Sequence, residues 1–156
     1  MSIEFDTGPL TWVKGEIDQA LHQAGEKLTQ FAADASDSTP LRQCQTHLHQ
    51  VSGAIQMVGL EGVARFSEAI EKLVAALEKR EAAISGANIG LINQALDALS
   101  QYLEGLLSGQ PDQPLRLFPL YQSLLAARGV EKISESELFF PDLSIRAPKP
   151  AATLQL

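Results

Sequence analysis

The chain has 156 residues and a mass of 16.8 kDa, the size of one domain with a short tail. Its net charge of −7 argues against a nucleic-acid partner, which needs clustered lysine and arginine. A single cysteine, Cys44, excludes an internal disulfide. Because the chain has no apolar run of about 20 residues and no secretory signal at its start, we expect a cytoplasmic protein without membrane insertion.

Apolar residues recur at steps of three and four, the spacing of a helix that buries one side. These stripes run over 10–31, 41–58, 63–77 and 92–106, with a shorter one over 117–124. No segment alternates with period two, so no strand is predicted. The sequence therefore predicts an all-α fold with four long helices and one shorter C-terminal helix.

Short breaks separate the predicted helices. Residues 37–40 offer an N-cap and a proline for the first turn of the second helix. Gly59 and Gly62 bracket a very short link to the third helix, and 85–88 and 109–114 end the third and fourth helices. Short connections join antiparallel neighbours. The predicted architecture is therefore an antiparallel four-helix bundle that the fifth helix closes or caps.

The helical pattern ends near residue 130. The segment 131–156 contains several prolines and small residues, a composition typical of a linker. We therefore divide the chain into a helical bundle, 1–130, and an extended tail, 131–156, that leads toward a following module. The segment 139–141, Phe-Phe-Pro, either folds back on the bundle or belongs to that module.

The second helix carries the candidate reactive residue. His49 follows the buried Leu48 by one residue, about 100° around the helix, so its side chain is expected at the rim of the core. Gly53 lies one turn further on the same side. A glycine inside a helix costs about 1 kcal/mol relative to alanine. Because Gly53 has no side chain, the surface of another protein can approach the imidazole of His49.

The His-x-His pattern in this helix raises the alternative of a metal site. His47 lies roughly 200° around the helix from His49, so the two cannot bind one metal from a single helix. Cys44 shares a face with His47, but the sequence offers no evident third ligand. We therefore interpret Cys44 as a core residue, and His47 and His22 as solvated residues at the flanks of their helices.

The third helix places a carboxylate opposite the second. In a hairpin that turns near Leu60, His49 and Glu71 each lie eleven residues from the turn and therefore at the same height. A carboxylate bonded to one imidazole nitrogen fixes the tautomer and makes the other nitrogen more basic. Such an imidazole suits nucleophilic attack on a phosphoryl group. Glu68, one turn earlier, is the reserve candidate.

His49, Gly53, Gly59 and Glu71 together resemble the pattern of histidine phosphotransfer (Hpt) domains, especially those of chemotaxis-type histidine kinases. That pattern is histidine, any residue, a hydrophobic residue, lysine and glycine, then a second glycine and a glutamate in the next helix. Ser52 stands where the family has a lysine that assists phosphotransfer. The resemblance implies that His49 is the phosphoacceptor and that Glu71 orients its ring.

A narrower resemblance covers most of the chain. Segments 10–17, 49–58 and 137–143 are similar to the N-terminal region of ChpA/PilL, large kinases that control type IV pili and twitching motility. The same region is similar to FimL, a pilus regulatory protein that lacks a phosphorylatable histidine. This resemblance implies a role in a chemotaxis-like two-component system, with pilus-regulatory partners and recruitment to the cell pole.

The phosphorelay that the resemblance implies needs other domains. His49 would take the γ-phosphoryl group of ATP held on a separate histidine kinase catalytic domain and pass it to an aspartate of a response-regulator receiver domain. The sequence has no glycine-rich phosphate loop, so we expect no cofactor and no enzyme activity of the domain by itself. Gln50, Ser52 and Gln56 either line the receiver-binding surface around His49 or form an ordinary polar face.

Two other functions stay open at this point. The domain is alternatively a degenerate Hpt-like adaptor, kept for protein–protein contact without phosphorylation. An unrelated helical enzyme is a third hypothesis, but no second cluster of convergent polar residues supports it. Trp12 departs from the apolar stripe of the first helix. Trp12 and Phe5 either pack under the open end of the bundle or form an exposed patch for a partner.

Overall fold

The computed structural model describes residues 7–129, and every regular element in that range is helical. Helix α1 spans Thr7–Ala33, α2 Thr39–Met57, α3 Glu61–Glu78, α4 Gly86–Leu107 and α5 Phe118–Ala127, with a 3₁₀ turn at Pro114–Leu117. The predicted all-α class is confirmed. The expectations for Phe5, for 139–141 and for the tail 131–156 lie outside the described residues.

Helices α1 to α4 form an antiparallel bundle in which each helix packs against two others. Contacts join α1 to α2, α2 to α3, α3 to α4 and α4 back to α1. Lys14 near the start of α1 reaches Glu104 near the end of α4, which shows that these two helices run in opposite directions. Helix α5 packs against α3 and α4 and buries Tyr121, Leu124 and Leu125.

The core is made by the apolar stripes that define the helices. The largest fully buried side chains are Phe31, Phe66, Leu10, Ile17, Leu28, Leu41, Leu48, Ile55, Leu60, Ile70, Leu73 and Leu77. Full burial of a side chain of this size contributes about 1.5–3 kcal/mol. Within residues 7–129, none of the helices combines the length and the hydropathy of a transmembrane span.

The link between α2 and α3 fixes the register of that helical hairpin. Gly59 adopts a φ of 86°, in the left-handed region that glycine tolerates best. Its N–H donates to the carbonyl of Gln56 at 3.0 Å, and the N–H of Leu60 donates to the carbonyl of Ile55 at 3.3 Å. These two bonds are those of a Schellman cap. Gly62, expected in the link, lies within α3 and is buried.

The start of helix α2 has the predicted proline but not the predicted side-chain cap at the N-cap residue. Pro40 lies in the first turn, as expected. Ser38 occupies the N-cap position without a side-chain capping bond. The exposed Asp37 carboxylate instead accepts the backbone N–H of Thr39 at 3.0 Å, and this bond lowers the pKa of Asp37 below 3.8. The capping oxygen therefore comes from one residue earlier than the N-cap.

Candidate functional site

His49 and Glu71 meet at the surface where α2 and α3 pack together. His49 Nδ1 lies 3.2 Å from Glu71 Oε2. The His49 side chain is 80% exposed, whereas that of Glu71 is 24% exposed. The expected contact between the two residues is therefore present. When Nδ1–H donates to the carboxylate, Nε2 keeps its lone pair on the solvent side.

The His49–Glu71 contact belongs to a row of polar contacts, which we call the α2–α3 polar seam. Its members are Arg42 and Gln45 with Glu78, His49 with Glu71, Ser52 with Ser67, and Gln56 with Glu68. They recur at steps of three and four along α2, which is the spacing of one side of a helix. The hairpin register therefore positions Glu71 against His49.

Ser52 lies inside the bundle and not on the surface around His49. Its side chain is 4% exposed, and its Oγ lies 2.7 Å from Oγ of Ser67, which is fully buried. A step of three residues from His49 turns the side chain toward α3. The expectation that Ser52 lines the surface is therefore wrong, and this position supplies no cation beside His49.

The other candidate residues around His49 divide between the two edges of α2. Gln56 is exposed and its Nε2 donates to Oε2 of Glu68 at 2.7 Å. Glu68, the reserve candidate for orienting the imidazole, therefore contacts Gln56 while Glu71 contacts His49. Gln50 is exposed on the opposite edge, where it lines the groove between α1 and α2.

An exposed stripe runs along α2 from His49 through Gly53 to Met57. A Cβ atom placed on Gly53 would find no neighbour within 4 Å, so the space beside this turn is open. Met57 is 83% exposed, which is unusual for a large apolar side chain. Met57 was not among the candidate residues predicted from the sequence, although its spacing of four residues from Gly53 places it on the same face.

Trp12 on α1 lies near the same end of the bundle as Met57. Its side chain is 86% exposed, so it does not pack under the bundle. One groove is lined by α1 residues within 16–23 and α2 residues within 50–54. Because the two helices are antiparallel, that register places Trp12 at the height of the end of α2. We call His49, Gly53, Met57 and Trp12 the α1–α2 face.

The remaining histidines and the cysteine occupy three different environments. Cys44 is fully buried, and burial raises the pKa of its thiol to about 12. His22 is exposed and lies 3.2 Å from Glu26, as expected for a solvated flank. His47 is half-buried, and its Nδ1 is enclosed without a hydrogen-bond partner among residues 7–129. The expectation of a solvated His47 is therefore wrong.

A buried lysine that was not predicted from the sequence links α1 to α4. Lys14 is 6% exposed, with Nζ 2.7 Å from Asp18 and 2.5 Å from Glu104. Burial by itself lowers the pKa of Lys14, but the hydrogen bonds and charges of the two carboxylates outweigh it and raise the pKa above 10.5. In the sequence, Lys14 lies between Leu10 and Ile17 on the apolar stripe of α1, and this position could have indicated that Lys14 is buried.

Comparison with known proteins assigns the family. Residues 10–118 match the family model described as the FimL C-terminal domain. The chain belongs to the FimL C-terminal domain family. It is also similar to the protein named Scaffold protein FimL of Pseudomonas aeruginosa, with 24% identity over 144 residues. That alignment covers 92% of this chain and 25% of the relative, so the chain spans about a quarter of the relative's length. No solved structure matches the chain.

The FimL match includes the whole site described above. Residues 10–118 contain the α2–α3 polar seam and all four residues of the α1–α2 face. The similarity to FimL that the sequence indicates is therefore confirmed, and the matched part of the chain corresponds to the four-helix bundle and the 3₁₀ turn.

Proposed function

We propose that this FimL-type domain is a scaffold module that binds proteins of the type IV pilus control system without catalysing a reaction. The observation that carries the proposal is the exposure of two large apolar side chains, Trp12 at 86% and Met57 at 83%, near one end of a well-packed bundle. Exposed apolar side chains that lie together on a surface mark protein interaction sites, and the register of α1 and α2 places these two at about the same height along the bundle. Family membership and the name of the P. aeruginosa relative support the same function.

The α1–α2 face has the composition of a docking surface. Trp12 and Met57 provide apolar anchors of the kind that dominate interface energetics. Gly53 leaves the backbone of α2 open to close approach. Gln50 and the Gln56–Glu68 pair supply polar groups at its edges. We expect its partners to be receiver domains, kinase domains or pilus-regulatory proteins in the cytoplasm, with recruitment to the cell pole as the outcome of binding.

The scaffold function predicts that Met57→Glu in the host protein lowers twitching motility at unchanged protein abundance. Met57 is exposed, so a charge there disturbs binding without disturbing the core. Gln43→Glu adds the same charge to another exposed position of α2 and is the matched control. Normal motility in both Met57→Glu and Trp12→Ala strains, with abundance confirmed by immunoblot, contradicts the proposal.

A second candidate function is phosphoryl acceptance by His49, which the exposed His49–Glu71 pair favours. Nε2 attacks the γ-phosphorus of ATP on a separate kinase domain, the bond from that phosphorus to the β–γ bridging oxygen breaks, and ADP leaves. The positive charge on the phosphorylated ring is stabilised by the Glu71 carboxylate. A receiver aspartate then attacks the phosphorus, the N–P bond breaks and neutral His49 is restored.

The burial of Ser52 weighs against this second function. The family's lysine assists phosphotransfer, and here a hydroxyl at that position is engaged by Ser67 inside the bundle. Family membership with a protein named as a scaffold favours binding without phosphorylation. We therefore place the scaffold function first.

Incubation with the histidine kinase of the same pilus system and γ-labelled ATP separates the two functions. Acid-labile label that is absent from His49→Gln supports phosphotransfer. For the scaffold function we expect no label on folded protein, while a known Hpt domain in the same reaction is labelled. We also expect that Met57→Glu lowers motility more than His49→Gln does, because glutamine keeps a neutral polar side chain in the α1–α2 face.

A further inference from the structure

A groove between α1 and α4 lies on the opposite side of the bundle from the α2–α3 polar seam. It is open to solvent and has a volume of about 730 Å³. Its apolar floor is formed by Leu21 and Leu96, each 7% exposed, with Gly25 between the helices. A Cβ on Gly25 would reach only Leu96 Cδ1, at 4.0 Å. The missing side chain at Gly25 therefore deepens the groove and is not required by tight packing.

The rim of this groove is acidic. Glu26 on α1 and Asp97 on α4 border the floor, and Asp18 lies toward one end. Among the described residues that line the groove there is no lysine or arginine. Lys14 engages Asp18 from beyond that end, and His22 lies 3.2 Å from Glu26. Asp97 is exposed, so its charge and that of Glu26 face a ligand in the groove across the apolar floor.

We propose that this groove binds a basic amphipathic helix of a partner protein. An apolar ridge on that helix covers Leu21, Gly25 and Leu96, and lysine or arginine side chains at its edges pair with Glu26 and Asp97. The α1 wall runs over residues 18–30, about 18 Å at 1.5 Å per residue, the length of about three helical turns. An amphipathic helix in an apolar groove is a common mode of recognition, and the acidic rim selects a basic partner.

This proposal goes beyond the proposed function because it adds a second binding surface with its own ligand chemistry. The α1–α2 face presents the apolar side chains of Trp12 and Met57, whereas the α1–α4 groove has carboxylates at its rim. A scaffold that holds two proteins at once requires two separate surfaces. The groove can bind its ligand whether or not the α1–α2 face is a docking site.

The test uses the whole chain labelled with ¹⁵N and an 18-residue helical peptide with leucines on one face and lysines beside them. We expect saturable shifts of the backbone amides of Gly25, Leu96 and Asp97. A matched peptide with the same leucines and glutamate in place of lysine should not bind. The double variant Glu26→Lys/Asp97→Lys should weaken the lysine peptide about tenfold, and added salt should weaken it further.

Two further variants keep the result interpretable. Gly25→Leu fills the groove without changing its charge and should weaken the peptide, whereas Met57→Glu should leave its affinity unchanged. The amide spectrum of each variant verifies its fold. Equal binding of the glutamate peptide, shifts centred on α2, or shifts that never saturate overturn the proposal. Such a failure leaves the motility result for Met57→Glu untouched, so the two proposals fail separately.

Discussion

The hydroxyl groups of Ser52 and Ser67 lie 2.7 Å apart in the buried interface between α2 and α3. Each hydroxyl has the other as its hydrogen-bond partner, and both residues are buried. A lysine at position 52 would have to bring its ammonium group out of this interface, and it would leave the Ser67 hydroxyl without its partner. The substitution that separates this chain from the Hpt pattern is therefore coupled to the packing of the helical hairpin.

Ser52→Ala should lower the free energy of unfolding by about 1–2 kcal/mol, because it leaves the Ser67 hydroxyl buried and unpaired. Ser67→Ala should have a similar effect. The double variant should lose less than the sum of the two, since neither unpaired hydroxyl remains. Urea denaturation of the four proteins measures this coupling, and strictly additive losses would show that the contact contributes nothing.

Lys14→Met should change how stability depends on alkaline pH. The folded-state pKa of Lys14 is raised above 10.5, so the ionic contribution is fully present below that pH and is lost as the pH rises through the folded-state value. The unfolding free energy of wild type minus that of Lys14→Met should therefore be constant from neutral pH to about 10. Above that pH the difference should fall, because wild type loses the ionic contribution. Lys79→Met removes a lysine from an exposed site and is the matched control.

Replacing each of the two glycines of the α2–α3 hairpin by alanine should change the stability of the domain in opposite directions. Gly59→Ala should destabilise the domain by about 1–2 kcal/mol, because the position requires a positive φ. Gly53→Ala should stabilise it by up to about 1 kcal/mol, since the residue is helical and the space beside it is open. Thermal unfolding of both variants checks the pair. Destabilisation by Gly53→Ala would show that the turn beside His49 is not free.

Cys44 should be unreactive toward thiol reagents in the folded protein. Burial raises the pKa of its thiol to about 12 and removes it from solvent, so both the thiolate fraction and the access are low near neutral pH. Colour development with a disulfide reagent should be slow in buffer and fast in concentrated urea. Rapid labelling of folded protein at pH 8 would mean that the core around α2 opens readily.

Much of this fold could be predicted from hydrophobic spacing, because each helix buries the stripe that its sequence shows. Counting residues from the turn also placed Glu71 opposite His49, since an antiparallel hairpin with a short link has one register. Ser52 and His47 were harder to place. A helix packed between two neighbours buries a wider arc than its apolar stripe, so polar residues beside the stripe are drawn inside.

Long-range partners and exposed apolar residues could not be predicted from the stripe. Lys14 is tolerated in the interior because Glu104 comes from a helix ninety residues further along the chain, and no local pattern indicates that partner. Met57 ends a helix whose sequence alone does not show whether another element covers it. The departure of Trp12 from the stripe was the clearer signal, although sequence alone left open whether it was exposed.

Helix α1 contains 27 residues and is about 40 Å long at 1.5 Å per residue. It borders both the α1–α2 face, through Trp12, and the α1–α4 groove, through Leu21 and Glu26. Proteins bound at both places would contact the same helix, which Lys14 ties to α4 near its start. The distance and angle between them would then be set by this single helix, which makes the geometry of an assembled complex a property of α1.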